Sequence, residues 1–351
     1  MIRAQQWTQG QGFDLIELPE QPVNGCALAE VDLALVCGSD LHTVSGRRRA
    51  ATPSILGHES VGRLVRPASG TRLKDALGET VSPGDRIVWT VTASCGTCDR
   101  CERGLTAKCR NVLKTGHEPV NGPWPLSGGY ATHIALHPGL TIVRVPDNVS
   151  DTEAAMSSCA LATVMACLEA ADPVDGRRVL VIGVGMLGAC AVAVARQRGA
   201  SEVVAVDVTS DRLDLARAAG ADTSCTPGAL EGEFDVVIEL SGATDSVRLA
   251  LDHAGLGCTI VLAGSVTPGP DVAINPERVT RSWWSIRGVH NYEPRHLQAA
   301  IDFLTGPGLR LPGIFADPVP LRDLPRLFDA PPRTGVLRQA VRPHLTPASS
   351  S

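Results

Sequence analysis

The stretch VLVIGVGMLG, Val179 to Gly188, joins a short apolar run to the pattern G-x-G-x-x-G. Taken alone, that glycine pattern is weak evidence. Here it follows a predicted strand, opens a predicted helix and precedes a second strand, EVVAVD, which ends at Asp207. This context is typical of a dinucleotide-binding βαβ unit. The alternative is a structural glycine turn in a domain that binds no dinucleotide.

The predicted roles of the turn follow from its chemistry. Gly183 permits the tight turn, Gly185 lets the backbone approach a pyrophosphate, and Gly188 allows close helix–strand packing. The helix N-terminus offers N–H donors to the phosphates. The carboxylate of Asp207 would bind the ribose hydroxyls and repel a 2′-phosphate, which predicts NAD rather than NADP. The predicted cofactor contacts of this unit are Gly183, Gly185, Met186, Leu187, Gly188, Asp207 and Arg212.

Strands and helices alternate on both sides of this turn. The alternation over 153–289 predicts a doubly wound parallel sheet, a Rossmann-type domain. Residues 1–152 read as many short strands broken by glycine and proline turns, which predicts a barrel-like or sandwich lobe. The fold class is therefore α/β with a β-rich first lobe, and the tail 346–351 is predicted to be disordered.

Composition narrows the function classes. A chain of 351 residues favours two domains, and its net charge of -5 has no massed basic region. Binding to nucleic acid or to a membrane is therefore not expected. The N-terminus has no apolar signal core, so we expect a soluble cytoplasmic protein. A disulfide framework is then unlikely, although there are 11 cysteines.

Four of these cysteines form the pattern C-x2-C-x2-C-x7-C, with Cys95, Cys98, Cys101 and Cys109. Four thiolates at this spacing can close a tetrahedral zinc site with no open position, which is structural rather than catalytic. An iron–sulfur cluster is the competing interpretation, but the bacterial ferredoxin run has a shorter last spacing and a following proline. Disulfides and a nucleic-acid-binding zinc ribbon are further alternatives that compartment and charge disfavour.

Three scattered residues could form a second metal site. Cys37, His58 and Cys159 provide the Cys, His and Cys of an open catalytic zinc set, although each one separately is more commonly a buried thiol or a hydrogen-bonded histidine. Their combination with the other motifs favours the metal site instead. In the order CGSDLH, GHE, the four-cysteine loop, GGYATH and VIGVGMLG, the chain resembles the zinc-dependent medium-chain alcohol dehydrogenases over nearly its whole length.

The resemblance implies a role for each position. Cys37, His58 and Cys159 correspond to the catalytic zinc ligands, with Glu59 as an adjacent acid that can approach the metal. Cys167 cannot replace Cys159, since eight helical residues span about 12 Å. The resemblance also implies that Asp40 orients His58, and that Ser39 and His42 carry a proton toward solvent.

The resemblance extends to cofactors and architecture. It implies a GroES-like catalytic lobe that residues 290–345 return to complete, two zinc ions per chain, NAD(H), and a homodimer or homotetramer. Gly264 and Val266 would lie near the nicotinamide amide. Arg338 would reach the pyrophosphate, with an exposed strand arginine as the equal alternative. His117 is predicted to be a loop histidine, and Trp283 and Trp284 core or interface residues.

Three consecutive arginines, Arg47 to Arg49, follow Gly46. A solvated loop is one interpretation; the other is an anion clamp in which Arg47 and Arg48 bind carboxylate or phosphate oxygens. CGSDLHTVSGRR also resembles a branch associated with phosphonate metabolism. The substrate hypothesis is therefore a small alcohol or aldehyde that is anionic, such as a hydroxyalkyl phosphonate. A polyol or amino alcohol is the runner-up, and a non-catalytic nucleotide sensor with structural zinc alone is the alternative from another class.

Overall fold

The chain divides into two compact units in this computed structural model, which describes residues 1–20, 25–171, 173–306, 308–309, 311, 313–330 and 333–346. The first unit comprises the described residues of Met1–Cys159, Glu293–Gly306 and Ile314–Ser351; the second comprises those of Ala160–Tyr292 and Pro307–Gly313. The sequence predicted the first boundary at residues 152/153, but the division falls later, inside a helical segment. The predicted tail lies outside the described residues except for Thr346.

The structure describes 18 strands, 12 in the first unit and six in the second. The strands are β1 (Ile2–Thr8), β2 (Gly12–Leu18), β3 (Ala27–Val36), β4 (Ser54–Ile55), β5 (Glu59–Arg66), β6 (Arg86–Trp89), β7 (Thr92–Ala93), β8 (Leu113–Lys114), β9 (His133–Leu136), β10 (Ile142–Arg144), β11 (Arg178–Ile182), β12 (Glu202–Val206), β13 (Thr223–Cys225), β14 (Phe234–Glu239), β15 (Ala254–Leu262), β16 (Ser285–Gly288), β17 (Val319–Pro320) and β18 (Gln339–Arg342).

Helices of nine or more residues occur in both units. The α-helices are α1 (Gly38–Val44), α2 (Asp99–Glu102), α3 (Asp151–Met156), α4 (Ala162–Ala171), α5 (Met186–Gln197), α6 (Ser210–Ala218), α7 (Thr244–Asp252), α8 (Pro276–Arg281), α9 (Pro294–Thr305) and α10 (Arg326–Asp329). A single π-helical turn, Ser157–Leu161, connects α3 to α4.

The first unit contains antiparallel sheets around an apolar core. Its largest sheet has the order β10-β6-β5-β3-β18-β17, with β9 also paired to β3, and a smaller sheet has the order β2-β1-β4. The large side chains of Trp89, Trp124 and Tyr130 are fully buried in this unit. Within the described part of the large sheet, only β17 and β18 pair in parallel. The prediction of a β-rich first lobe is confirmed.

The second unit is built on a six-stranded parallel sheet with the order β13-β12-β11-β14-β15-β16. The first strand in sequence, β11, is central, so the strand order reverses beside it; ligands of such sheets bind at this switch point, outside the carboxyl ends of the strands. The four residues Val179 to Ile182 of β11 are buried, as expected for a strand covered on both faces. The predicted doubly wound sheet is confirmed.

The helical segment Asp151–Ala171 is an apolar core element. The Ser150 hydroxyl accepts a hydrogen bond from the backbone N–H of Glu153, and the Glu153 side chain returns to the backbone N–H of Ser150, forming a capping box. The segment is long and apolar enough to span a membrane, but 78% of its most apolar window is buried inside the protein. That burial accounts for its hydropathy without a membrane.

Candidate active site

Helix α1 carries three of the predicted functional side chains on one short element. Cys37, at the end of β3, occupies its N-cap position, and the Asp40 carboxylate accepts a hydrogen bond from the Cys37 N–H at 3.0 Å. This local bond starts the helix directly after the buried strand. Ser39 and His42 are three residues apart and therefore lie on adjacent turns of one helix face.

Four side chains converge beside Cys37. The ligand atoms of Cys37, His58, Glu59 and Cys159 all lie within 4.8 Å of one another. Strand pairing brings Cys37 and Glu59 together, because β5 runs antiparallel to β3 and sets Glu59 opposite Leu35, two residues before Cys37. Cys159 comes from the π-helical turn, a local irregularity that is frequent at functional sites.

Asp40 is the centre of the hydrogen bonds around this cluster. Its side chain is almost fully buried, and Oδ2 accepts from the Tyr130 hydroxyl at 2.9 Å as well as from the Cys37 N–H. Its Oδ1 lies 3.3 Å from His58 Nδ1, a charge contact rather than a well-aligned hydrogen bond. The contact leaves Nε2 of His58 as the nitrogen available to a metal. Sequence reasoning did not select Tyr130, although it lies within the quoted GGYATH motif.

The electrostatics of the cluster favour a cation. A hydrogen bond from Cys159 holds the pKa of Cys37 well below its usual range, against the effect of burial and with help from Arg338. Burial lowers the pKa of His58, but the charges of Asp40 and Cys37 outweigh it and raise that pKa well above its ordinary value. Two sulfurs and an imidazole in a field that attracts positive charge fit a zinc ion, and so the residues present match the implied metal.

Arg338 belongs to this cluster. Its guanidinium donates to both carboxylate oxygens of Glu59, at 2.7 and 2.9 Å, and Nη2 lies 3.5 Å from the Cys37 sulfur. The cause is the antiparallel pairing of β18 with β3, which sets Gln339 opposite Val36. The guanidinium is buried and engaged by protein groups, which corrects the prediction that it is exposed or reaches a pyrophosphate. Burial raises the pKa of Glu59 to about 7, although Arg338 opposes this.

Ser39 and His42 occupy different environments. The Ser39 hydroxyl lies 3.2 Å from His58 Nε2, at the metal cluster, whereas His42 is exposed. One end of the predicted proton path is therefore next to the metal ligands and the other in solvent.

His117 also lies near the cluster. The ring of His117 packs 5.3 Å from the ring of His58, measured between centroids, and its Nδ1 contacts the Thr115 carbonyl at 2.7 Å. Burial, together with the charges of His58 and Arg48, lowers the pKa of His117 to about 3. His117 lies in a turn and is not one of the clustered metal donors, in agreement with the predicted loop histidine, although its ring packs against that of His58.

The four-cysteine loop brings its sulfurs together separately. The Sγ atoms of Cys98 and Cys101 are 3.5 Å apart, those of Cys95 and Cys109 are 3.5 Å apart, and those of Cys98 and Cys109 are 3.9 Å apart. Tetrahedral zinc with Zn–S bonds of about 2.3 Å requires sulfurs about 3.8 Å apart. The loop therefore fits a structural zinc ion, and all 11 cysteines of the chain are free of disulfides.

A carboxylate supports this loop from α9. Glu293 accepts hydrogen bonds from the Thr106 N–H at 3.0 Å and the Ala107 N–H at 3.1 Å, and from the Thr106 hydroxyl. Glu293 is also the N-cap residue of α9. Sequence reasoning missed this contact, which joins residues 187 positions apart.

In the second unit, the glycine turn has the geometry that its sequence predicted. Gly183 has φ +89, and a Cβ on Gly188 would stand 2.1 Å from the Gly183 carbonyl oxygen. A Cβ on Gly185 would meet nothing within 4 Å, so the space in front of the helix is open to a ligand. Oδ2 of Asp207 accepts from the Val184 N–H at 2.8 Å, which holds the carboxylate at the turn.

The remaining residues of this unit have distinct placements. Nη1 of Arg212 is buried without a hydrogen-bond partner among the residues that the structure describes. Gly264 packs against the backbone of Gly242, while Val266 is exposed. Trp284 is a core residue, whereas Trp283 is 81% exposed.

The fold and the two cysteine-containing clusters define a zinc-dependent oxidoreductase with a dinucleotide-binding domain. Residues 24–147 match the alcohol dehydrogenase GroES-like domain, and residues 186–306 match the zinc-binding dehydrogenase domain. An L-threonine 3-dehydrogenase of Klebsiella pneumoniae is 30% identical over 340 residues, which cover 91% of this chain and 93% of the relative. The chain belongs to the zinc-dependent medium-chain alcohol dehydrogenase family, and it is an enzyme acting on CH–OH groups with zinc and a nicotinamide cofactor.

Solved structures agree on the fold. An alcohol dehydrogenase of Thermotoga maritima has a TM-score of 0.88 at 24% identity, covering 97% of this chain and 99% of its own. A zinc-binding dehydrogenase of Sinorhizobium meliloti 1021, bound to NADP, has a TM-score of 0.86 at 24% identity. The match covers 98% of this chain and 99% of that one. At this identity the likeness establishes the two-lobed architecture alone.

Proposed function

We propose that the enzyme transfers a hydride between NAD(H) and a small hydroxy substrate at a zinc ion held by Cys37, His58 and Cys159. The observation that carries this proposal is the convergence of these donors, with Glu59, within 4.8 Å. The other cluster, formed by Cys95, Cys98, Cys101 and Cys109, would hold a second, structural zinc. Its all-sulfur ligands leave no open position for a substrate.

Zinc bound at the first site supplies Lewis-acid chemistry, which lowers the pKa of a substrate hydroxyl or polarises a carbonyl in the reverse direction. The protein's own groups handle the proton. Ser39, whose hydroxyl is 3.2 Å from His58 Nε2, would accept the proton of the substrate hydroxyl while releasing its own hydroxyl proton toward His42, which would pass a proton to solvent. An imidazole suits this role because it exchanges protons near neutral pH.

The ion pair between Arg338 and Glu59 orients the acid beside the ligands. With both carboxylate oxygens bonded to the guanidinium, Glu59 is held within the cluster but is not free to bind the metal strongly. Cys37, His58 and Cys159 therefore remain the preferred ligand set, with the fourth position left for substrate.

Asp207 supports NAD as the cofactor. Its carboxylate lies at the glycine turn, where it would accept hydrogen bonds from the ribose hydroxyls and repel a 2′-phosphate. Gly185, Met186 and Leu187, at the start of α5, would receive the pyrophosphate. Arg212, Gly264 and Val266 remain predicted cofactor contacts.

For the substrate, we propose a small hydroxy compound that bears an anionic group. The support is the arginine loop that follows His42. A hydroxyalkyl phosphonate and a hydroxy carboxylate share this chemistry. The similarity to L-threonine 3-dehydrogenase favours a β-hydroxy amino acid as the second candidate, and threonine also carries a carboxylate. A neutral polyol would not use the arginines.

An absorbance screen at the reduced-cofactor band tests the proposal. The panel contains L-threonine, 3-hydroxy acids, hydroxyalkyl phosphonates, polyols and simple alcohols, each with NAD and NADP. We expect turnover of an anionic hydroxy compound with NAD. A polyol as the best substrate would overturn the substrate class, and no turnover of any compound by zinc-loaded protein would overturn the function.

Zinc analysis tests the ligand set. The purified protein should contain two zinc ions per chain, and Cys159→Ser should contain one. Cys167→Ser is the matched control, because Cys167 is also a free thiol of the same helical segment but lies outside the cluster, and it should retain two. Equal zinc content in both variants would exclude Cys159 as a ligand.

The homo-oligomeric state and the cytoplasmic location stay predictions. Light scattering would measure the oligomeric state.

A further inference from the structure

The backbone after α1 separates the three consecutive arginines. The helix ends at Val44, Gly46 has φ +76, and the chain turns back so that the Arg48 N–H donates to the His42 carbonyl at 3.0 Å. Arg47 and Arg49 are exposed, whereas Arg48 is partly buried. Of the three arginines, only Arg48 is therefore partly covered by the protein.

The loop that carries Arg48 runs beside a second segment, which also borders the metal cluster, because Ser54 pairs with Pro119 and the Val120 N–H donates to the Pro53 carbonyl at 2.9 Å. The charge of Arg48 also contributes, after the larger effect of burial, to lowering the pKa of His117 and of Lys114. The segment is held tightly against the cluster, because a Cβ on Gly116 would stand 2.8 Å from the Gly57 carbonyl oxygen, directly before His58. The His117 ring then packs on the His58 ring at 5.3 Å.

The charges of this region are not balanced. No ion pair or side-chain hydrogen bond of Arg48 is found within the described part of the chain. Glu118 is the nearby acid, and its Oε1 accepts from the backbone N–H of Lys114. A partly buried arginine without a counter-charge is costly, and a ligand anion would relieve that cost.

We propose that Arg48 is the residue that binds the anionic group of the hydroxy substrate, with Lys114 adding positive charge and His117 separating the anion from the metal ligands. The planar guanidinium can donate two parallel hydrogen bonds to a carboxylate or a phosphonate. Arg47 and Arg49 take no part. The inference rests on the proposed dehydrogenase function, and it narrows the predicted clamp from Arg47 and Arg48 to one residue.

Matched substrates and matched variants test it. Arg48→Leu and the control Arg49→Leu remove the same charge from the same loop. Each is assayed with L-threonine against 1-amino-2-propanol, and with 2-hydroxypropylphosphonate against 2-propanol, pairs that differ only in the anionic group. We expect Arg48→Leu to lower kcat/KM about 10- to 100-fold for the preferred anionic compound and less than about 3-fold for its neutral partner. Arg49→Leu should change kcat/KM for neither compound by more than about 3-fold. For the anionic compound, the kcat/KM of Arg48→Lys should lie between those of wild type and Arg48→Leu.

A binding measurement separates this inference from the dehydrogenase function. Butyrate and propylphosphonate, anions without a hydroxyl group, are titrated calorimetrically into zinc-loaded protein. At least one should bind, about 10- to 100-fold more weakly to Arg48→Leu and unchanged in Arg49→Leu, and the preferred anion identifies the group. Binding without turnover of any hydroxy compound would overturn the function and retain the subsite. No binding of either anion, or equal losses in both variants, would overturn the role of Arg48.

Discussion

Replacing Asp40 with asparagine tests how the buried hydrogen bonds hold the metal site. The carboxylate accepts from the Cys37 N–H and the Tyr130 hydroxyl, and it contacts His58 Nδ1 at 3.3 Å. An asparagine of nearly the same shape keeps one oxygen but exchanges the other for an NH₂ group. The new NH₂ group must then face the Cys37 N–H, the Tyr130 hydroxyl or His58 Nδ1, which places two donors against each other in a buried site.

The expected magnitudes follow from these contacts. Changing the carboxylate partner of a ligating histidine typically lowers metal affinity about 10- to 100-fold, equal to about 1.4–2.7 kcal/mol. A buried donor left without an acceptor destabilises the fold by about 1–3 kcal/mol. Tyr130→Phe removes one donor and keeps the carboxylate, so its zinc affinity should change by less than about 3-fold.

Competition with a chelator measures both effects. Wild type, Asp40→Asn and Tyr130→Phe are loaded with zinc and titrated while released zinc is followed with a dye. Asp40→Asn should release the ion held by Cys37, His58 and Cys159 at a lower chelator concentration than wild type does. It should keep the ion of the four-cysteine loop. A folded Asp40→Asn protein, checked by circular dichroism, that holds both ions as tightly as wild type would refute this role of Asp40.

Four further substitutions have expected effects on zinc content, stability or cofactor binding. Cys101→Ser should reduce the zinc content by one ion and lower the melting temperature, and an unchanged zinc content would argue against the loop site. Gly185→Ala should leave the unfolding free energy within about 0.5 kcal/mol, because its Cβ enters open space, but weaken NAD binding about 10-fold or more. Gly188→Ala should instead destabilise the fold by about 1–3 kcal/mol, seen in urea titration, because its Cβ meets the Gly183 carbonyl; the opposite ranking would contradict both assignments. Asp207→Ala should lower NAD affinity about 10-fold and reduce the preference for NAD over NADP. Steady-state kinetics with both cofactors measure this preference, and an unchanged ratio of kcat/KM for NAD and NADP would contradict the role of Asp207.

Local patterns predicted much of the molecule. The parallel sheet followed from strands and helices that alternate around the glycine turn, and the β-rich lobe from short apolar runs broken by turns. The four-cysteine loop was also predictable, because its sulfurs come from one short stretch. The start of the long helical segment was readable as well, since Ser150 and Glu153 form their capping box within one turn.

The open metal site was predicted less directly. Its ligands lie far apart along the chain, and the resemblance to a known family, rather than their spacing, selected them. The position of Arg338 could not be predicted, because it depends on the pairing of β18 with β3 across roughly the whole chain. The support of the four-cysteine loop by Glu293 is also long-range, across 187 positions. Neither contact leaves a signal in the neighbouring residues.

The sequence by itself determined the elements whose residues act on near neighbours: the glycine turn, the four-cysteine loop, the helix caps and the alternation of strands and helices. The tertiary structure decided which distant groups share one buried space. It set Tyr130 against Asp40, Arg338 against Glu59, and the His117 ring against the His58 ring. Strand pairing and packing determine these distances, and pairing across hundreds of residues is specified by the whole fold rather than by any single stretch of the chain.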